Sequence, residues 1–321
     1  SFVVARGPGD CYMSFPPYKM NKINKYYSNT NIIITIYLEA GIGVLANTIL
    51  LLFYILLRIQ GHRPKLTDFP IALLAIVHLI RLVIMGLIAT DIFLSWRGWD
   101  DITCKLIMFL FRFFRGLSLC ATCLLSVLQA VTLSPRNSCL ANFKHKSQQY
   151  IFFAFLLVTV LYTCIGSHLL VYVIATPNLT SHNFTYLTES CSLLPINYRD
   201  QHTFVILLTF RDVVLIGLMA LSSVYMVTFL HRHKRQSQHL HSTILSSKAS
   251  PEQRATQTIL VLMSFFVMMS AFDSVISYLR TLTGDPIFHF ILYLVAHSYA
   301  TGSPLVILST EKRFTNILRS M

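Results

Sequence analysis

Seven apolar stretches, each long enough to cross a bilayer, gather nearly all of their charged residues toward one end. A spanning helix needs roughly 20 predominantly apolar residues. The stretches run over Asn31–Leu57, Leu66–Thr90, Cys104–Leu133, Gln149–Ala175, Thr203–Leu230, Arg254–Leu282 and Ile287–Ser309. Backbone polar groups facing lipid find no water, so each span must satisfy them internally as a helix. The chain is 54% hydrophobic and 12% charged, against about 25% charged in ordinary soluble domains, which excludes a soluble globular fold. The expected fold is an all-α membrane protein, one seven-helix transmembrane bundle without internal repeats. Nucleic-acid binding needs a basic patch on a soluble fold and is excluded as well.

The net charge of +13 is therefore a matter of topology, because Lys and Arg mark cytoplasmic loops. Arg58, Arg63 and Lys65 follow the first stretch, Arg136, Lys144 and Lys146 the third, and Arg232, Lys234, Arg235 and Lys248 the fifth; Lys312, Arg313 and Arg319 lie in the tail. The alternate loops hold Arg97 and Arg199 against Asp91, Asp100, Asp101, Glu189 and Asp285. This predicts an extracellular N-terminus over residues 1–30, a transmembrane domain over 31–309 and a cytoplasmic tail over 310–321. Residues 1–19 lack any helical or strand period and read as a non-native or disordered extension, with Met20 an alternative start. That start removes Arg6 and Lys19, two of the four basic residues (with Lys22 and Lys25) that dissent from the predicted orientation. Two sequons, at Asn178 and Asn183, fall in the loop between spans four and five, on the predicted exterior. Cys104 and Cys191 lie on the same side, where oxidising conditions permit a disulfide. The alternative is two free thiols.

A charge inside a bilayer is expensive and defaults to a functional reading. At about 1.5 Å of rise per residue, Glu39, Arg81, Arg112, Arg115, Arg211, Asp212, Asp273 and Arg280 all fall in the predicted outer half. Five arginines face three carboxylates in this set, which favours an anionic or acceptor-rich ligand, since guanidinium groups bind oxyanions bidentately. Arg112 and Arg115 share one helix face. Arg211 and Asp212 are adjacent, point about 100° apart, and are expected to need partners on other helices, a ligand or water rather than each other. Phe113, Tyr278 and Tyr293 supply candidate apolar walls. The competing reading is a set of interhelical ion pairs that only fix packing, with Glu39 and Arg280 reaching to the interface. His78 sits near the centre of span two, either as a satisfied packing residue or as a polar switch element. Paired catalytic Asp residues, a Ser-His placement at one depth and HExxH are all missing from the sequence, so no enzyme, cofactor or metal is expected. A transporter or channel would need polar lining in the inner half, where the spans hold no charge.

Several long strings are more specific. GHRPKLTDFPIALL (Gly61–Leu74), ATDIFLSWRGWDDITCK (Ala89–Lys105), RGLSLCATCLLSVLQAVTLSPRNSCLANFKHKS (Arg115–Ser147), IATPNLT (Ile174–Thr180), SPEQRATQTIL (Ser250–Leu260) and HSYATGSPLVILSTEKR (His297–Arg313) resemble vomeronasal type-1 receptors. These are G-protein-coupled pheromone receptors of the seven-helix type. The likeness covers essentially everything from Met20 onward. It implies a multi-pass receptor in the plasma membrane of vomeronasal sensory neurons. Its partners would be a small-molecule pheromone, anionic or steroid-like, an inhibitory-type heterotrimeric G protein and the lipid bilayer. It also implies a disulfide between Cys104 and Cys191 and a glycan at Asn178. The expected ligand residues are Arg81, Arg112, Phe113, Arg115, Arg211, Asp212, Asp273, Tyr278 and Tyr293. The expected G-protein surface is Arg136, Lys144, Lys146, Arg232, Lys234, Arg235, Lys248 and Arg254, some of which also serves topology and anionic lipid. A bitter-taste-like receptor is the nearest alternative of the same architecture. The sequence departs from the rhodopsin-like class at Leu133-Ser134-Pro135-Arg136, at Gly302-Ser303-Pro304-Leu305, and at His78 in place of an Asp, so that class's ionic lock and sodium site are not carried over.

Overall fold

The computed structural model describes residues 30–61, 67–94, 98–134, 139–167, 169–176, 185–188, 190–194, 198–240, 264–265, 267–272, 274–275 and 298–309. Five long helices dominate these residues: α1 (Thr30–Ile59), α2 (Asp68–Leu94), α3 (Asp101–Leu133), α4 (Cys139–Gly166) and α5 (Tyr198–Leu240). Each contains a window apolar and long enough to span a membrane. Helical residues between 264 and 275 and over 298–309 belong to the sixth and seventh predicted spans.

Local chemistry sets several boundaries. Gly61, at φ +73°, ends α1 where a left-handed residue is required, and its N–H reaches the Arg58 carbonyl. Asp100 caps α3, accepting from the Thr103 N–H at 3.2 Å and from the Thr103 hydroxyl; these bonds hold its carboxyl below the usual range. Ser134 closes α3 in an extended conformation, as Pro135 in the next position favours.

The helix α3 packs against α2, α4 and α5. A core of Leu50, Leu74, Leu125, Met219, Met226 and Ile307 joins the spans. Leu38, Leu45, Leu52 and Ile59 recur every seven residues along α1 and are exposed, the apolar outer surface that lipid requires. Within the helices, Thr48, Thr159 and Thr163 donate to carbonyls one turn back, which satisfies hydroxyls without water.

Four details depart from the sequence reading. The fourth span is expected to run to Ala175, but α4 ends at Gly166 and a single turn, Leu169–Tyr172, leads into a strand. Strands β1 (Val173–Ala175), β2 (Thr185–Tyr186) and β3 (Cys191–Leu193) form a small antiparallel sheet in the order β1-β3-β2, with Val173 opposite Leu193. The loop expected over Ser134–Gln148 is helical from Cys139. The loop expected from His231 is helical to Leu240, so Arg232 and Arg235 stand on an extension of α5. Asp91, counted as a loop acid, lies inside α2 and is 1% exposed.

Candidate ligand site in the helix bundle

Asp212 is the centre of the charged level. Arg115 on α3 donates from Nη1 to one carboxylate oxygen at 3.1 Å, while Arg211 donates from Nε and Nη2 to the other at 3.0 and 2.7 Å. Ser274 accepts from Arg115 at 3.3 Å and donates to Asp212 at 3.2 Å. The third, fifth and sixth spans therefore meet at one carboxylate. The expectation that Arg211 and Asp212 do not pair is corrected here. Backbone directions differ by about 100°, but the long arginine stem curls back over its own helix, and a buried carboxylate accepts more than one charged donor.

A packing device holds Arg211 in that position. Its guanidinium lies 3.2 Å from the centroid of the buried Tyr162 ring, a cation–π contact. The ring fills the notch left by Gly116, where a Cβ would lie 1.7 Å from Tyr162 Cε1. Glycine at 116 thus lets α4 approach α3 beside the charged cluster.

Next to the cluster is a cavity of about 10 Å³ lined by Arg81, Arg115, Ser118, Leu119, Ser270 and Tyr299. Arg81 is 2% exposed and lies 5.8 Å from the Tyr299 ring. Below the cavity, the two ring nitrogens of His78 lie 3.0 Å from the hydroxyls of Ser118 and Ser303. Of the two readings of His78, the satisfied one describes its bonding, and the residue ties the second, third and seventh spans. Asn47 donates to the carbonyls of Gly43 and Ala300 at 2.8 and 2.9 Å, which joins the first span to the seventh. Glu39 accepts from Ser298 at 2.8 Å, so its carboxylate engages the seventh span.

The predicted residues thus divide. Arg81 and Arg115 line the cavity, and Arg211 and Asp212 brace it. Arg112 and Phe113 are partly buried on α3 but do not line this cavity; Phe113 stacks on Phe109 at 6.1 Å. Asp273, Tyr278 and Tyr293 lie outside the described residues, as do Asn178, Asn183, Arg136, Lys248 and Arg254. Lys144, Lys146 and Lys234 lie on described helices without described side chains, while Arg232 and Arg235 are exposed. Ser270, Ser274, Tyr299, Tyr162 and Gly116 do not stand out in the sequence, whereas Ser118 could have been found by its spacing. Arg115, Ser118 and Thr122 sit at helical spacing i, i+3, i+7, which is a legible signal.

At the mouth, Cys104 and Cys191 form a disulfide with Cα atoms 5.6 Å apart. Asp91 accepts from the Ser190 N–H at 3.0 Å and from its hydroxyl at 2.5 Å, and Asp101 accepts from the Ala175 N–H at 2.6 Å. The small sheet is thereby fastened to the ends of α2 and α3.

Residues 30–320 match the Vomeronasal organ pheromone receptor family. The chain belongs to this family. Vomeronasal type-1 receptor 94 of Rattus norvegicus is 56% identical over 305 residues, covering 95% of this chain and 94% of the relative. Vomeronasal type-1 receptor 45 of Mus musculus is 56% identical over 301 residues, covering 94% and 95%. As a vomeronasal type-1 receptor, the chain is a seven-helix, multi-pass membrane protein of the G-protein-coupled kind and not an enzyme.

Proposed function

We propose that this chain detects a small pheromonal molecule whose polar end enters the cavity beside Arg81 and Arg115, and that it signals to an inhibitory-type heterotrimeric G protein. The observation that carries this reading is the convergence of Arg115, Arg211 and Asp212 beside a cavity, at a depth where ionised groups are costly. Mechanism follows from the sharing of one carboxylate. An acceptor on the ligand competes with Asp212 and Ser274 for the Arg115 guanidinium, loosening the tie of α3 to α5 and the sixth span. A ligand that binds the loosened packing better shifts the population toward it. The charges assigned to the outer half are Arg81, Arg112, Arg115, Arg211 and Arg280 against Glu39, Asp212, Asp273 and now Asp91, which accepts from the Ser190 N–H, a surplus of one positive charge. The remaining surplus favours an anionic or acceptor-rich ligand.

The G-protein surface in this reading comprises Arg136, Lys144, Lys146, Arg232, Lys234, Arg235, Lys248 and Arg254. Exposure of Arg232 and Arg235 on the α5 extension supports it. The mouth with its disulfide then faces outside and the sequon loop is extracellular. Arg115→Ala is expected to abolish the agonist response to a steroid and urinary metabolite panel at measurable surface expression, with Arg112→Ala having the smaller effect. Unchanged potency in Arg115→Ala refutes the site. Asn178→Gln with Asn183→Gln is expected to lower the apparent mass on a gel, and an unshifted band contradicts the orientation.

A further inference from the structure

Ser118, Ser270 and Tyr299 line the cavity beside the two guanidiniums. The Tyr299 proton is committed: Thr122 donates its own to the Ser118 carbonyl at 2.5 Å, so its oxygen accepts from Tyr299 at 3.0 Å. Ser118 differs from the hydroxyls of Thr90, Thr132, Ser222 and Ser223, which donate to carbonyls one turn back. Its oxygen lies 3.0 Å from His78 Nε2, and His78 Nδ1 lies 3.0 Å from Ser303. The imidazole is 1% exposed and meets the Tyr299 ring edge-on at 5.1 Å.

A neutral imidazole donates from one nitrogen and accepts at the other. With the proton on Nε2, the ring donates to Ser118, Ser303 donates to Nδ1, and the Ser118 O–H is available to the cavity. With the proton on Nδ1, Ser118 spends its O–H on the ring and offers the cavity only lone pairs. A ring carrying both protons treats Ser118 as in the first case. The cavity has room for roughly one water-sized group, the tip of a ligand rather than its body. Guanidiniums beside it can only donate.

We infer that His78 is a specificity-determining positioning residue: a proton on its Nε2 turns the Ser118 hydroxyl into the cavity, so the deep end of the ligand must be an acceptor, a carbonyl or oxyanion oxygen. This rests on the ligand site proposed above. Donation then runs in one direction, from Ser303 to the ring, from the ring to Ser118, and from Ser118 to the ligand. Occupation by an acceptor therefore fixes the hydroxyl of Ser303 in the seventh span.

The test uses matched steroid pairs in which one ring ketone is replaced by a methylene, read as dose–response in cells. The receptors are wild type, His78→Phe, Ser118→Ala, their double variant and Arg115→Ala. Wild type is expected to prefer the ketone about tenfold or more. Ser118→Ala lowers the ratio to what Arg81 and Arg115 supply alone, His78→Phe lowers it as well, and the double variant changes it no further than Ser118→Ala, a non-additivity that general destabilisation does not produce. Ser118→Ala keeps the ring and removes one oxygen, so it decides the matter if His78→Phe fails to reach the surface. A wild type that ignores ketones or shows no preference overturns the inference. So does a preference that Ser118→Ala leaves undiminished. If Arg115→Ala still silences the whole panel, only the His78 assignment falls; if Arg115→Ala responds normally, the ligand site falls with it.

Discussion

The mouth of the bundle and the charged level beneath it are held together by different kinds of bond. At the mouth, a disulfide joins Cys104 to Cys191, and two carboxylates grip backbone N–H groups, Asp91 that of Ser190 and Asp101 that of Ala175. At the charged level the principal ties run between side chains: two guanidiniums and the Ser274 hydroxyl share Asp212. A ligand does not displace a covalent bond, and an acceptor held by backbone is hard to outcompete. A guanidinium that shares its carboxylate accepts a substitute oxyanion readily. The mouth is thus a fixed frame, and the charged level is where binding can change how helices pack.

Breaking the charged level is expected to cost most. Asp212→Ala leaves Arg115 and Arg211 together in a buried site without the carboxylate they share, and removing one partner of a buried ion pair costs about 3–5 kcal/mol. Surface expression and the melting temperature of the solubilised receptor report it; a wild-type melting temperature would show the cluster to be solvated and energetically idle.

The frame comes next. Cys104→Ser removes the disulfide, with a cost of about 2–5 kcal/mol. Because Asp91 and Asp101 still hold the loop, Asp91→Asn in that background is expected to lower stability further. Thermal shift measurements on the single and double variants sharpen the contrast: equal melting temperatures would mean that Asp91 contributes nothing once the covalent link is gone.

The smallest change tests the packing beneath Arg211. Gly116→Ala puts a methyl group into the Tyr162 ring, and overpacking of this kind costs about 1–3 kcal/mol. Displacement of the ring also moves the platform under Arg211, so agonist potency is expected to fall more than surface expression does. Equal losses in both would reduce Gly116 to a packing residue.

The long spans are legible because lipid imposes one rule on every residue in them. Legibility stops where that rule stops. The α5 extension from His231 to Leu240 is polar, so no apolar period announces it. Val173–Ala175 continues the apolar run of the fourth span, and a short apolar run does not distinguish helix end from strand; only the partner β3 makes it a sheet. Asp91 reads as a loop acid because it lies one residue past the predicted edge of span two. The charges are legible one by one, since each stands out in an apolar run. Their pairing is not, because side-chain reach rather than backbone direction brings Arg211 to Asp212, and Tyr162 lies far from Gly116 in sequence. Ser118, three residues after Arg115, is within reach of helical periodicity alone.

An electron cryomicroscopy map of the agonist-bound receptor with its G protein tests the central claim most directly. The predicted density places a polar atom of the agonist within hydrogen-bond distance of Arg115, with the Arg115–Asp212 contact lengthened from 3.1 Å. Agonist density elsewhere, over an unaltered Arg115–Asp212 pair, would contradict it.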